Sequence, residues 1–289
     1  MIKKAKHLFE YIVFLALTSF LRALSVDKAA SLCSMLARKI GPYLGVSNIA
    51  RNNLQKVYGN DINIEKTIDE LWDNYGRYIG EFAFINSMSD EELLKRVKLT
   101  GLENIKKFQE QGQPFMLFLG HQANWDFVIR RINDIYPNFG IVYRKANNPY
   151  VDQCILGERS SDQNVIMISK GPSGVKDLMR AIKSKMSIAM LVDQKMNDGI
   201  EVPFFDKPAM TAPAIAKLSL RYNYPIIPCQ IIRLKGSYFE LKLHPELKYK
   251  ATKNTNKDCY NIMLSINKKL EEWIRQRPGQ WFWFHNRWK

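Results

Sequence analysis

The stretch PFMLFLGHQANWDF, Pro114–Phe127, runs from apolar residues through a glycine to a histidine and an aspartate five positions apart. Pro114–Leu119 has the length and composition of a buried strand, and Gly120 ends it. On an uninterrupted helix, residues five apart point about 140° away from each other, at roughly 100° per residue. His121 and Asp126 therefore meet only if the chain turns before it becomes helical. A strand, a turn carrying His121 and a helix starting near Asn124 satisfy that condition. Asp126 then lies in the first helical turn, where the helix dipole favours a carboxylate. The expected arrangement has Asp126 holding one imidazole nitrogen while the other faces a cleft, as a general base requires. Taken alone, the pair fits a loop histidine capped by a neighbouring carboxylate equally well, so the rest of the chain has to decide.

On either side of this stretch the hydropathy pattern alternates. Strand candidates are Phe115–Leu119, Gly140–Tyr143, Val165–Ile168, Ile188–Val192, Ile226–Ile232 and Tyr238–Leu243. Helical spacing recurs at Val175–Lys183, Ala214–Tyr222 and Tyr260–Gln276. Strands alternating with helices predict an α/β sheet with helices on its faces. In such folds ligands collect beyond the carboxyl ends of the strands. His121, Arg144 and Asp193 each follow a predicted strand closely, which puts all three on one rim. Upstream, from Asp27 to about Glu110, the pattern is helical, and Ser89-Asp90 ahead of Glu91 and Glu92 reads as a helix start.

With GHQANWD (Gly120–Asp126) included, six stretches stand in order along the chain: NYGRYIGEF (Asn74–Phe82), GHQANWD, YRKANNPYVD (Tyr143–Asp152), LVDQK (Leu191–Lys195), VPFFDKPAMT (Val202–Thr211) and WFHNRWK (Trp283–Lys289). With these, the chain resembles the bacterial lipid A biosynthesis acyltransferases from about Ala30 to its last residue. The resemblance implies a glycerolipid-acyltransferase-like fold, a central mixed sheet flanked by helices. It implies transfer of a fatty acyl chain from acyl carrier protein to a hydroxyl of the lipid A precursor, Kdo-lipid IV-A, at the cytoplasmic side of the inner membrane. The expected partners are therefore acyl carrier protein, a phosphorylated glycolipid acceptor and a membrane surface, with no metal and no cofactor beyond the acyl donor. An acceptor such as a phosphatidylinositol mannoside, with acyl-CoA as donor, is the alternative within the same enzyme class.

Acyl transfer from a thioester to a hydroxyl needs a base, a stabiliser for the tetrahedral oxyanion and two aligned substrates. His121 suits the first role, with Asp126 expected to fix its tautomer. No GxSxG elbow is present, so direct transfer without an acyl-enzyme is expected. Arg144 forks well onto phosphate or carboxylate. Asn147 belongs to the same motif but is also an ordinary turn residue. Asp193-Gln194 stands where the resemblance places a substrate-binding Glu-Gly motif, which leaves Asp193 open between ligand contact and loop architecture. Phe204 and Phe205 read as the wall of an acyl groove or as core. Thr211 matches the family motif, although Pro213 and Ala214 stand near where relatives carry a glycine. Glu81 is a further candidate on a helix, and His285 and Arg287 sit in an aromatic tail that favours packing.

Composition bounds the remaining choices. With 289 residues and 46% hydrophobic content the chain buries a full core. Its four cysteines, Cys33, Cys154, Cys229 and Cys259, are scattered without CxxC spacing, which points to free thiols. A net charge of +15 calls for an anionic partner. The basic residues are dispersed and no nucleic-acid motif is present, which argues against nucleic acid. Lys3, Lys4 and Lys6 precede the apolar stretch Tyr11–Leu21. Residues 1–26 are expected to form a membrane anchor or interfacial helix ahead of an acyltransferase domain at 27–289. A cleaved leader and a soluble core helix are the competing readings.

Overall fold

The computed structural model describes residues 2–133, 136, 138–159 and 165–288. Its centre is β2 (Met116–Leu119), in which every residue is buried. Side chains alternate across a strand, and here the alternation divides the interior in two. Met116 and Phe118 join one apolar core, Leu117 and Leu119 the other. A strand buried on both faces reads as a continuous apolar run, which is why PFMLFL signals a central strand.

Six more strands complete the sheet. They are β1 (Val97–Thr100), β3 (Phe139–Tyr143), β4 (Val165–Ser169), β5 (Ser187–Leu191), β8 (Ile226–Lys235) and β9 (Tyr238–Leu243), in the spatial order β1-β9-β8-β2-β5-β3-β4. β8, β2, β5, β3 and β4 run parallel, whereas β9 returns antiparallel to β8 and carries β1 parallel to itself. The sheet is therefore mixed, as expected. β6 (Lys195–Phe204) and β7 (Lys207–Thr211) form a separate antiparallel hairpin.

One core lies under α9 (Pro172–Lys183), α10 (Ala214–Tyr222) and α11 (Thr255–Gln276), the other under α6 (Glu103–Glu110) and α7 (Asp126–Asn133). α7 begins at Asp126, two residues later than the spacing predicts. The expected start at Ser89 is present: its hydroxyl accepts from Glu92 N at the head of α5 (Asp90–Arg96). Upstream of it, α2 (Val26–Ile40) packs on α4 (Ile64–Phe82), and α3 (Gly45–Tyr58) lies between them in sequence.

The first helix, α1 (Ile2–Arg22), rests on α8 (Pro149–Arg159). Asn148 donates to His7 O and to Glu10 at 2.8 and 2.9 Å, and Tyr11 packs on Tyr150. The opposite side leaves Leu8, Phe9, Ile12, Val13, Leu17 and Phe20 exposed. Among the described residues no helix is long and apolar enough to cross a membrane, so a spanning anchor is not supported.

Candidate active site

In the sheet, Leu119 of β2 is the register partner of Leu191 of β5, and Val192 N donates to Leu119 O at 3.1 Å. Two residues further on, the same register delivers His121 beside Asp193. Gly120 packs against α11 on the way: a Cβ there would lie 3.0 Å from Leu270 Cδ2. His121 Nδ1 meets Asp193 Oδ1 at 2.6 Å, and His121 N donates to Oδ2 at 2.6 Å. Trp281 Nε1 donates to the same Oδ2 at 2.7 Å.

Asp193 is fully buried. Burial pushes its carboxyl up, but the His121 imidazole, its hydrogen bonds and His285 outweigh that and hold it far below the usual carboxylate range. An ionised carboxylate only accepts, so Nδ1 of His121 carries the proton that faces it, which leaves Nε2 as the nitrogen with the lone pair whenever the ring is neutral. The imidazole is almost covered, with Trp125 edge-on at 5.0 Å and Phe282 at 6.3 Å.

The expectation that Asp126 orients His121 is corrected here. After Gly120 the chain turns, with Gln122 N donating to Gly120 O at 2.8 Å and Ala123 at φ +47°. Gln122 bridges Trp281, Phe282 N donates to His121 O, and Ala123 N donates to Gln280 O, both at 2.9 Å. Those bonds pin residues 121–123 to the C-terminal segment, and α7 opens only afterwards. Asp126, buried at the head of α7, is taken instead by Arg159 (2.7 and 3.1 Å) and by the Tyr78 hydroxyl (2.8 Å). Burial lowers Arg159, but Asp126 more than offsets it, while burial and Asp126 together raise the Tyr78 phenol.

The other predicted residues divide. Arg144 leaves β3 on the rim and is exposed, as is Asn147, and Gln194 is half-buried. Because Tyr143 and Ser169 are register partners and Lys170 N donates to Tyr143 O at 2.7 Å, Lys170 emerges beside Arg144. Glu81 is fully buried and taken by Arg233, which forks onto both its oxygens and donates to Asn74 at 2.8 Å. Asn124 donates to Glu81 at 2.8 Å and accepts from Asp126 N, tying the two buried acids together. Phe204 and Phe205 form no groove: both are buried in the larger core, with Phe204 stacked on Trp288 and edge-on to Trp281. Thr211 is likewise buried, accepting from Arg287 Nη2 at 2.8 Å.

A small apolar cavity of about 60 Å³ lies between the sheet and α7. Leu119, Ile129, Ile141, Met167 and Leu191 line it, together with Trp125, Asp126 and Arg159. Trp125 thus borders both the cavity and the His121 ring. Arg159 and Lys170 escaped the sequence reading, while Tyr78 stood in it only within NYGRYIGEF and Trp281 only as part of the aromatic tail.

A buried imidazole–carboxylate pair at a strand-end rim, beside an apolar cavity, suits proton abstraction from a hydroxyl next to a bound chain. The family described as bacterial lipid A biosynthesis acyltransferase matches residues 2–289. No curated protein matches the chain.

Proposed function

From the premise that this chain belongs to the bacterial lipid A biosynthesis acyltransferases, we propose that it moves a fatty acyl chain from acyl carrier protein to a hydroxyl of the lipid A precursor Kdo-lipid IV-A. The observation that carries this reading is the His121–Asp193 pair, 2.6 Å apart at the carboxyl ends of β2 and β5. His121 Nε2 takes the proton of the acceptor hydroxyl as its oxygen attacks the thioester carbonyl. Asp193 supports the imidazolium that forms. Collapse of the tetrahedral intermediate breaks the C–S bond, and the imidazolium returns its proton to the departing thiolate. No acyl-enzyme is required, since the base serves the attacking oxygen directly.

The remaining parts fit the same reaction. The apolar side chains that line the small cavity beside Trp125 are assigned to the acyl tail, which has to part them to enter. Arg144 is assigned to a substrate phosphate, which its planar fork matches. Asn147 and Gln194 stand near enough to the rim in sequence to contact the acceptor headgroup. Asp126, bonded to Arg159 and Tyr78, is a structural support of the site. α1 leaves a row of apolar residues exposed, with Lys3, Lys4 and Lys6 at its start. That combination suits a helix lying in the headgroup region of the cytoplasmic leaflet of the inner membrane. The charge of +15 suits an acidic carrier and an anionic lipid.

Mass spectrometry of lipid A from cells with and without the gene tests the reading. The expected result is a loss of one acyl chain on deletion, restored by the wild-type gene and not by His121→Ala. Identical lipid A in all strains would overturn it.

A further inference from the structure

Asp193 has to present one oxygen to an imidazole while rotating about its own side-chain bonds. Two donors stop that rotation. His121 N and Trp281 Nε1 both reach Oδ2, at 2.6 and 2.7 Å, leaving Oδ1 for His121 Nδ1. The backbone donor belongs to the histidine itself. The indole arrives from 88 residues along the chain. Trp281 is completely buried and wedged among aromatic rings, with Trp283 at 4.6 Å and Phe204 at 5.7 Å. Its backbone is held on both sides, because Gln280 O accepts from Ala123 N and Phe282 N donates to His121 O. The indole N–H is therefore a fixed donor, which an exposed or mobile side chain would not provide.

We infer that Trp281 is a positioning residue for the acyl transfer, locking the Asp193 carboxylate so that His121 stays in the Nδ1–H tautomer. The inference rests on the reading of His121 as the general base. The C-terminal segment 280–282 then completes the site instead of merely covering it. Without the indole donor, Oδ2 is a buried acceptor left to His121 N alone, and a carboxylate held only by the residue it orients fixes the imidazole less firmly. Trp281 touches no substrate in this arrangement, so its loss falls on kcat and leaves KM in place.

The test uses the full-length protein with Trp281→Phe, which keeps an aromatic ring and removes only the donor and part of the volume. kcat should fall about ten- to a hundredfold, the scale of a small misplacement of a reacting group, with KM unchanged. Asp193→Asn should lower kcat as well, and the double variant should be no worse than Asp193→Asn alone. A purely packing role would make the two losses add. In ¹⁵N-histidine spectra the His121 ring should change from one fixed tautomer in the wild type to an averaged pair in Trp281→Phe. The same coupling is read without altering Trp281: its indole N–H resonance should move when Asp193→Asn is introduced. His121→Ala separates this inference from the one beneath it. Normal turnover in that variant removes the base assignment, whereas the tautomer and indole readouts need no turnover. Additive losses, an unchanged His121 tautomer or an indole signal indifferent to Asp193→Asn would each overturn the role of Trp281.

Discussion

His121 has two acidic candidates for a partner, and the backbone decides between them. Asp126 is five residues away in sequence but faces Arg159 and Tyr78; Asp193 is 72 residues away and in hydrogen-bond contact. The two carboxylates should therefore fail differently when removed. His121→Ala and Asp193→Asn are expected to lower kcat, by roughly 10²–10⁴-fold for the base itself, with little change in melting temperature. Asp126→Ala strands the Arg159 guanidinium in a buried place and is expected to cost about 3–5 kcal/mol of stability. Denaturant melts alongside kinetics on the three variants check this, and an Asp126→Ala protein of wild-type stability would contradict it. His121 was legible in the sequence, and so was Asp193 as a rim residue. The bond between them was not, because no local pattern reports that β5 lies beside β2.

Among the elements, α2 and α4 pack closely, and the contact depends on small residues. A Cβ on Gly80 would lie 2.6 Å from Ala29 O and 2.7 Å from Ala30 Cα, both of them backbone atoms. Gly76 meets Cys33 O and Ser34 Cα at the same 2.6 Å. These glycines sit in NYGRYIGEF, so part of that motif serves helix contact while Tyr78 and Glu81 anchor the buried acid network. Gly80→Ala is expected to force the helices apart and destabilise the protein by about 1–3 kcal/mol, the range for an overfilled core. That loss should outweigh the gain in helix propensity, and a variant melting at or above the wild-type temperature would refute the packing argument. The helices α9, α10 and α11 and the six predicted strands were legible from their periodicities, whereas α8 (Pro149–Arg159) was not expected. β1 was not, since its four residues Val97–Thr100 include two polar ones, and β6 carries too many exposed polar residues to signal a strand.

At the scale of the whole molecule, charge and apolar surface combine. The chain is strongly basic, and α1 leaves a row of apolar side chains uncovered. If an acidic carrier protein docks on the basic surface, kcat/KM with the carrier-bound donor should fall steeply as ionic strength rises, because exposed charges act mainly on association. The same assay with an acyl-CoA donor supplies the comparison. Salt-insensitive kcat/KM with the carrier, or preference for acyl-CoA, would count against carrier docking.

The sequence by itself determined the α/β architecture, the rim on which the polar residues gather, and His121 as its centre. All three follow from local regularities: a strand buried on both faces is an apolar run, a helix has its own period, and a parallel sheet aligns its strand ends. Only the tertiary structure set Asp193 against His121 and Trp281 against Asp193, and put Asp126, Glu81, Phe204, Phe205 and Thr211 in the interior. Those assignments depend on which strands are neighbours and on the C-terminal segment pairing with 121–123. Contacts between residues tens of positions apart are set by the packing of the whole chain, and they leave no periodic mark in any one part of it.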